Sequence, residues 1–173
     1  MIKIIDNFFT DEDLKKVQDF ALNKAYYTPR FLENTEEKTH DNFYGLRFTL
    51  NNDKKLLDFF IKQAEINFKI KILKVFEDSG IDQRSLDHFA PHTDHLRCKI
   101  NILIMIYGPT AVTNGTVFYH GNTSNYELDT HVGFRPNRAI MFPSDKIHSP
   151  HAINDQKILR YTCSLFIEDY KEL

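Results

Sequence analysis

The chain has 173 residues, 42% of them apolar and 27% charged, with no low-complexity tract. That excludes a disordered, collagen-like or coiled-coil protein and favours one domain spanning residues 1–173. Its 22 basic and 24 acidic side chains leave a net charge of −2, so no bulk field draws it to a membrane surface, and nucleic acid is not favoured as a partner. The composition is unusual in holding 8 His and 15 Phe but no Trp.

Cys98 and Cys163 each lie in an apolar run, where a buried free thiol is expected and a disulfide framework is not. No stretch approaches the roughly 18 apolar residues that would span a membrane. The start MIKIIDNFF lacks the apolar core of a signal peptide, so a cytoplasmic protein is expected.

In chain order, Ile2–Ile5 reads as a short strand. Thr10 opens a T-x-x-D capping box with Asp13, and a helix follows over about 11–24, with Leu14, Val17, Phe20 and Ala21 on one face. Residues 25–45 are aromatic and polar without a period and read as a long loop of the kind that often forms a lid. Asn52 or Asp53 caps a second helix, whose Leu56, Leu57, Phe60, Ile61, Ala64 and Phe68 make a broad apolar stripe. From about residue 70 the period changes: KIKILKVFE fits a strand or a continuation of the helix, and everything after it reads as β. Further strands are expected at 84–90, 97–107, 116–120, 125–132, 138–142, 147–153 and 158–167, broken by turn signals such as Gly108-Pro109, Asn114-Gly115 and Pro143-Ser144. The fold class is α+β: two N-terminal helices packed on a sheet of a β sandwich or barrel such as a jelly roll.

Three features carry chemistry. In His92-Thr93-Asp94, residues two apart in a strand point the same way, so an imidazole and a carboxylate would share one face. His148 follows the strand 138–142 and a turn, and His151 lies three further on; in a strand the two point oppositely, so only one joins a site built by the other. Two imidazoles and one carboxylate can occupy one face of a metal octahedron, the donor set of non-haem Fe(II) oxygenases. Arg160, the third feature, sits in a late apolar strand with no acidic neighbour, and Thr162 shares its face. A buried guanidinium so placed calls for an anion, and it matches a carboxylate in two-point geometry. The plainer alternatives are a surface His-Asp pair and an exposed Arg at a hairpin end. Zinc motifs are absent, and Pro91 argues against a helical His88–His92 pair. His40, His95, His120 and His131 have no spacing that singles them out and are expected to be solvated or lid residues, with the cavity mouth a further option for His95 beside the His92-x-Asp94 pair. In the 25–45 segment and just after it, Tyr44 and Arg47 are candidate substrate contacts.

The order His92-x-Asp94, a strand ending at Tyr107, Asn114-Gly115 before a short strand, FPSDKIHS at 142–149 and Arg160-Tyr161-Thr162 resembles the Fe(II)/2-oxoglutarate-dependent dioxygenase superfamily. The likeness is to its prolyl-hydroxylase-like and phytanoyl-CoA-hydroxylase-like members. The resemblance implies a double-stranded β-helix (jelly roll) with two supporting helices. It implies Fe(II) on His92, Asp94 and a late His, with Arg160 on the distal carboxylate of 2-oxoglutarate, assisted by Thr162 and Tyr107. His148 is preferred as the late ligand, with His151 as the alternative. The implied reaction takes O2 and 2-oxoglutarate as co-substrates, hydroxylates an unidentified substrate (a protein side chain such as proline, or a small metabolite) and releases succinate and CO2. A cupin-like metalloenzyme without 2-oxoglutarate and a non-catalytic jelly-roll binding module are the competing classes.

Overall fold

The computed structural model describes residues 1–31, 43–84, 90–122, 124–152 and 159–173. Strand β1 (Lys3–Asp6) leads into helix α1 (Asp11–Asn23), which starts where expected. The Asp13 N–H donates to Thr10 Oγ1 at 3.1 Å and the Thr10 hydroxyl donates back to the Asp13 carboxylate at 2.9 Å. Asp11, Glu12 and Asp13 add favourable charge at the positive end of the helix dipole. Helix α2 (Lys54–Phe68) is capped by Asp53, whose carboxylate accepts from the Leu56 N–H at 3.0 Å.

The remaining strands are β2 (Thr28–Phe31), β3 (Phe43–Thr49), β4 (Ile70–Val75), β5 (Gly80–Arg84), β6 (Ile100–Tyr107), β7 (Ala111–Asn122), β8 (Asn125–Phe134), β9 (Arg138–Pro143), β10 (His148–Ala152) and β11 (Arg160–Glu172). Every pairing between them in the described residues is antiparallel. One sheet runs β1-β9-β6-β11-β5-β3-β2 with β4 also on β11, and a second runs β10-β7-β8. The molecule is therefore α+β, as expected.

Alternation along the central strands separates two cores. Ile102, Ile104 and Ile106 of β6 and Cys163, Leu165 and Ile167 of β11 face the helices and pack with Phe60, Ala64 and Phe68 of α2. Met105 of β6 and Ile140 and Phe142 of β9 face the other way, meeting Phe118 of β7 and Val132 and Phe134 of β8. The small sheet is thus held against the helix-free face of the large one. Both cysteines are buried and unpaired. Among the described residues no helix is long and apolar enough to cross a membrane.

Some elements differ from the sequence reading. Residues 25–45 are not a continuous loop, because β2 and β3 pair as an edge hairpin. Pro29 is tolerated in β2 because that strand ends the sheet, where a missing N–H costs no ladder bond. Residues 32–42, with His40, lie outside the described residues. The strand expected at 84–90 lies instead at Gly80–Arg84, and 85–89, with His88, are also outside them. Asn114-Gly115 is not a turn but part of β7, where the register slips between Ala111 and Gly115. Gly115 is needed there, since a Cβ would stand 2.1 Å from the Val132 carbonyl oxygen.

Asn137 ties the N-terminal segment to the sheet. Its side chain accepts from the Phe9 N–H at 2.7 Å and donates to the Phe9 carbonyl at 3.0 Å, and its backbone (φ 70°) accepts from the Phe8 N–H and donates to the Met105 carbonyl. Asn137→Gly should cost about 2–4 kcal/mol by leaving buried Phe9 groups unpaired. Asn137→Ala should cost about 1 kcal/mol more through its unfavourable left-handed backbone. Urea unfolding midpoints of the two variants check both the loss and its order.

Candidate metal centre

His92 and His148 are brought together by backbone. The His92 N–H donates to the His148 carbonyl at 3.0 Å and the His148 N–H donates to that of His92 at 2.9 Å, which sets the rings side by side with centroids 4.5 Å apart. Asp94 is fixed in the same way, its N–H donating to the Ser144 carbonyl at 2.9 Å. One ligating atom from each of His92, Asp94 and His148 lies within 4.8 Å of the others.

The tautomers follow from what each ring touches. His92 Nδ1 is 3.0 Å from the Ala90 carbonyl and His148 Nδ1 is 2.9 Å from the Lys146 carbonyl. A carbonyl can only accept, so both Nδ1 atoms carry a hydrogen, and in a neutral ring Nε2 is then the atom with the lone pair. Burial, and then the neighbouring His148, push the pKa of His92 down to about 3 and keep it neutral, the form that binds metal. His148 is 7% exposed, and Phe118 and Phe142 pack against its ring with centroids 6.1 and 4.8 Å away. Asp94 presents Oδ1 to His148 Nε2 at 3.7 Å, while its Oδ2 accepts from Asn101 Nδ2 at 2.8 Å. Two imidazoles and one carboxylate are a donor set that suits Fe(II).

The three residues open onto a cavity between the sheets, whose walls include Arg160, Thr162 and Phe166 of β11, Asp82 and Arg84 of β5, and Arg47 of β3. Arg160 is 6% exposed. Its Nη1 donates to the Gly115 carbonyl at 3.0 Å and to Asn114 Oδ1 at 3.3 Å, and its Nε is buried without a partner. Among the described residues no carboxylate pairs with it. Burial, with the nearby charge of Arg84, lowers its pKa to about 9, a measure of how poorly the cation is compensated. An oriented guanidinium with an orphaned donor fits an incoming carboxylate such as one end of 2-oxoglutarate. Buried Thr162 lines the same wall.

Other expected site residues fall elsewhere. His151 is exposed, and its ring lies 5.2 Å from that of His131, apart from the His92 group. Tyr107 does not line the cavity. A register slip in the β6–β11 pairing sets it opposite Tyr161, ring centroids 6.1 Å apart, at the end of β6 with 45% exposure. Arg47 does line the cavity, but its charge is committed. It is 4% exposed, and its Nε and Nη2 donate to the two Asp82 carboxylate oxygens at 2.8 and 2.9 Å. Its Nη1 donates to the Asp78 carboxylate at 2.8 Å, and Phe166 covers it. Arg47 is therefore a wall element and not an open substrate contact. The Tyr44 side chain lies outside the described residues. His95 sits outside the cavity, between Phe76 and Phe166 and 3.7 Å from Asp78.

Sequence reading missed Asn101 and the Asp82–Arg47 pair. Asn101 carried a signal, being the one polar residue inside the apolar run 100–106. The pair carried none, because β3 and β5 set Arg47 opposite Asp82 only through the sheet register. Burial raises the Asp82 pKa, but Arg47 and Arg84 outweigh it, and the net shift is downward. Asp82→Asn should therefore cost about 3–5 kcal/mol by leaving buried Arg47 undercompensated. A depressed carboxylate stabilises the fold above its unfolded pKa, so the wild type should lose this contribution as pH falls below about 4 while Asp82→Asn responds less steeply. Thermal unfolding across pH 3–6 checks both.

No family model matches the sequence, and neither does any curated protein. Solved structures do match in fold. The epimerase SnoN from nogalamycin biosynthesis, in complex with Fe3+, alpha ketoglutarate and nogalamycin RO, is 9% identical. It aligns over 99% of this chain and 78% of its own with a TM-score of 0.67. A prolyl hydroxylase from Trichoplax adhaerens, in complex with a hypoxia inducible factor oxygen degradation domain peptide, is 14% identical. It covers 96% of this chain and 82% of its own with a TM-score of 0.60. The alpha ketoglutarate dependent carbocyclase SnoK is 9% identical over 99% of this chain and 81% of its own, with a TM-score of 0.66. The chain has the fold of non-haem iron, 2-oxoglutarate-dependent enzymes.

Proposed function

We propose that this chain is an Fe(II)- and 2-oxoglutarate-dependent oxygenase that hydroxylates a C–H bond of its substrate, using O2 and releasing succinate and CO2. The observation that carries the reading is one cavity holding two kinds of site. On one wall His92, Asp94 and His148 turn two imidazole Nε2 atoms and a carboxylate toward each other. Another wall holds Arg160, buried and, among the described residues, aligned by neutral oxygen atoms. The two sheets around it are read as a double-stranded β-helix and residues 1–173 as one catalytic domain.

In this reading His92, Asp94 and His148 hold the metal, and Asn101 keeps the Asp94 carboxylate turned toward it. Arg160 takes the distal carboxylate of 2-oxoglutarate, with the Thr162 hydroxyl as a further donor. Iron and 2-oxoglutarate supply the power to activate O2, while the protein binds, orients and excludes water. Phe118 and Phe142 do the last at His148. A cupin-like metalloenzyme would need the metal residues but would leave the Arg160 arrangement without purpose.

Anaerobic Co(II) titration followed by visible absorption tests the metal site. His148→Ala should abolish the signal and His151→Ala should leave it unchanged, and the reverse result would move the ligand. Asn101→Ala should weaken metal binding about 10–100-fold without abolishing it. For the co-substrate, Arg160→Gln should raise the 2-oxoglutarate Kd at least about 30-fold with metal still bound. Metal binding without any 2-oxoglutarate binding or turnover would favour the cupin-like class.

A further inference from the structure

The outer face of the small sheet carries a pair of histidines that the proposed function does not use. His131 of β8 is the register partner of Val117, and His151 of β10 is the register partner of Gly115. Residues 115 and 117 of β7 are two apart and share a face, so their partners share it too. That face is the outer one, because Phe118 of β7 and Val132 of β8, one position along, belong to the core between the sheets. Both histidines are exposed.

Strands β8 and β10 are not neighbours, since β7 runs between them. Side chains standing straight up from them would be two strand spacings apart, roughly 10 Å. The two rings are instead 5.2 Å apart between centroids and inclined at 76°. They lean toward one another across β7, where the paired Gly115 and Gly133 put no side chain in the way. A zinc–nitrogen bond is about 2.0–2.1 Å and the ring centre lies roughly 1.2 Å beyond it, so two imidazoles at a tetrahedral angle on one ion have centres about 5 Å apart. The rings already stand at that spacing. Burial, and then His151, lower the His131 pKa, which favours the neutral form that can ligate.

We propose that His131 and His151 form a second, outer metal site, which takes one ring nitrogen from each and holds Zn(II), with water completing its shell. Two neutral ligands make it weaker than the inner site of His92, Asp94 and His148, which adds a carboxylate, so the inner site fills first. The outer ion ties β8 to β10, which share no backbone pairing, and β10 is the strand that opens with His148. It braces from outside the strand that carries an inner ligand.

The test is Zn(II) titration of the metal-free full chain, read by calorimetry, with single variants. Wild type should take up two ions. His131→Ala and His151→Ala should each lose the weaker ion, or bind it at least about tenfold less tightly, and keep the tighter one. His148→Ala should do the reverse. His120→Ala, which removes another exposed histidine of the small sheet, should change neither. Thermal unfolding gives a second readout: excess Zn(II) should raise the Tm of wild type more than that of either outer variant. Unchanged zinc uptake in His131→Ala or in His151→Ala marks a plain edge-to-face ring pair and overturns the inference, as does loss of the weaker ion in His120→Ala. One ion that depends on His148, with none that depends on His131, overturns the inference alone. The converse pattern supports the outer site and overturns the proposed function, and wild type that binds no Zn(II) overturns both.

Discussion

The two-residue period of β6 and β11 is the constraint on which the rest depends. These adjacent strands each show one face to the helices and the other to the small sheet. Apolar side chains fill the helix side without interruption, and burying them there supplies most of the driving force for folding. The opposite face is thereby free to carry Asn101 on β6 and Arg160, Thr162 and Ser164 on β11, polar groups that a second apolar face could not spare.

The cost of this division is desolvation, which the molecule offsets differently at each charge. Arg47 is matched oxygen for nitrogen by Asp82 and again by Asp78, the arrangement expected of a cation that stays buried in every state. Among the described residues Arg160 receives a carbonyl and an amide oxygen. Neutral dipoles orient a guanidinium without cancelling its charge, so attraction is kept for a ligand, and little side-chain entropy is left to lose when one arrives. The imidazoles are handled in the same spirit, with backbone carbonyls fixing the tautomer of each.

Local signals in the sequence were legible where local physics decides the outcome. Thr10 and Asp53 start helices because their side chains satisfy N–H groups a few residues on. The opposite parity of His148 and His151 needed only strand geometry; His92 and Asp94 also come together with His148, though by an isolated bridge at His92 and the Asp94 N–H to the Ser144 carbonyl and not by a strand. Position along the whole sheet was not legible. The hairpin of β2 and β3 hid in an aperiodic stretch because an edge strand carrying a proline need not alternate. Asn114-Gly115 looked like a turn because the same glycine that permits tight turns also permits a bulge pressed against Val132. Tyr107 was carried out of the cavity by a single register slip, and Arg47 was claimed by a partner two strands away in sequence order.

The reciprocal backbone pair between His92 and His148 also has a kinetic meaning. It joins a segment that precedes β6 to one that follows β9, so it closes a loop that contains β6, β7, β8 and β9. Contacts between distant parts of a chain are the slow ones to form, since their loop entropy is lost before they contribute. The helices and the large sheet could collapse first and still lack two of the three metal-facing groups in register. Capacity to bind a cation at this place would then appear as the last step of folding, and it would report that both sheets have met.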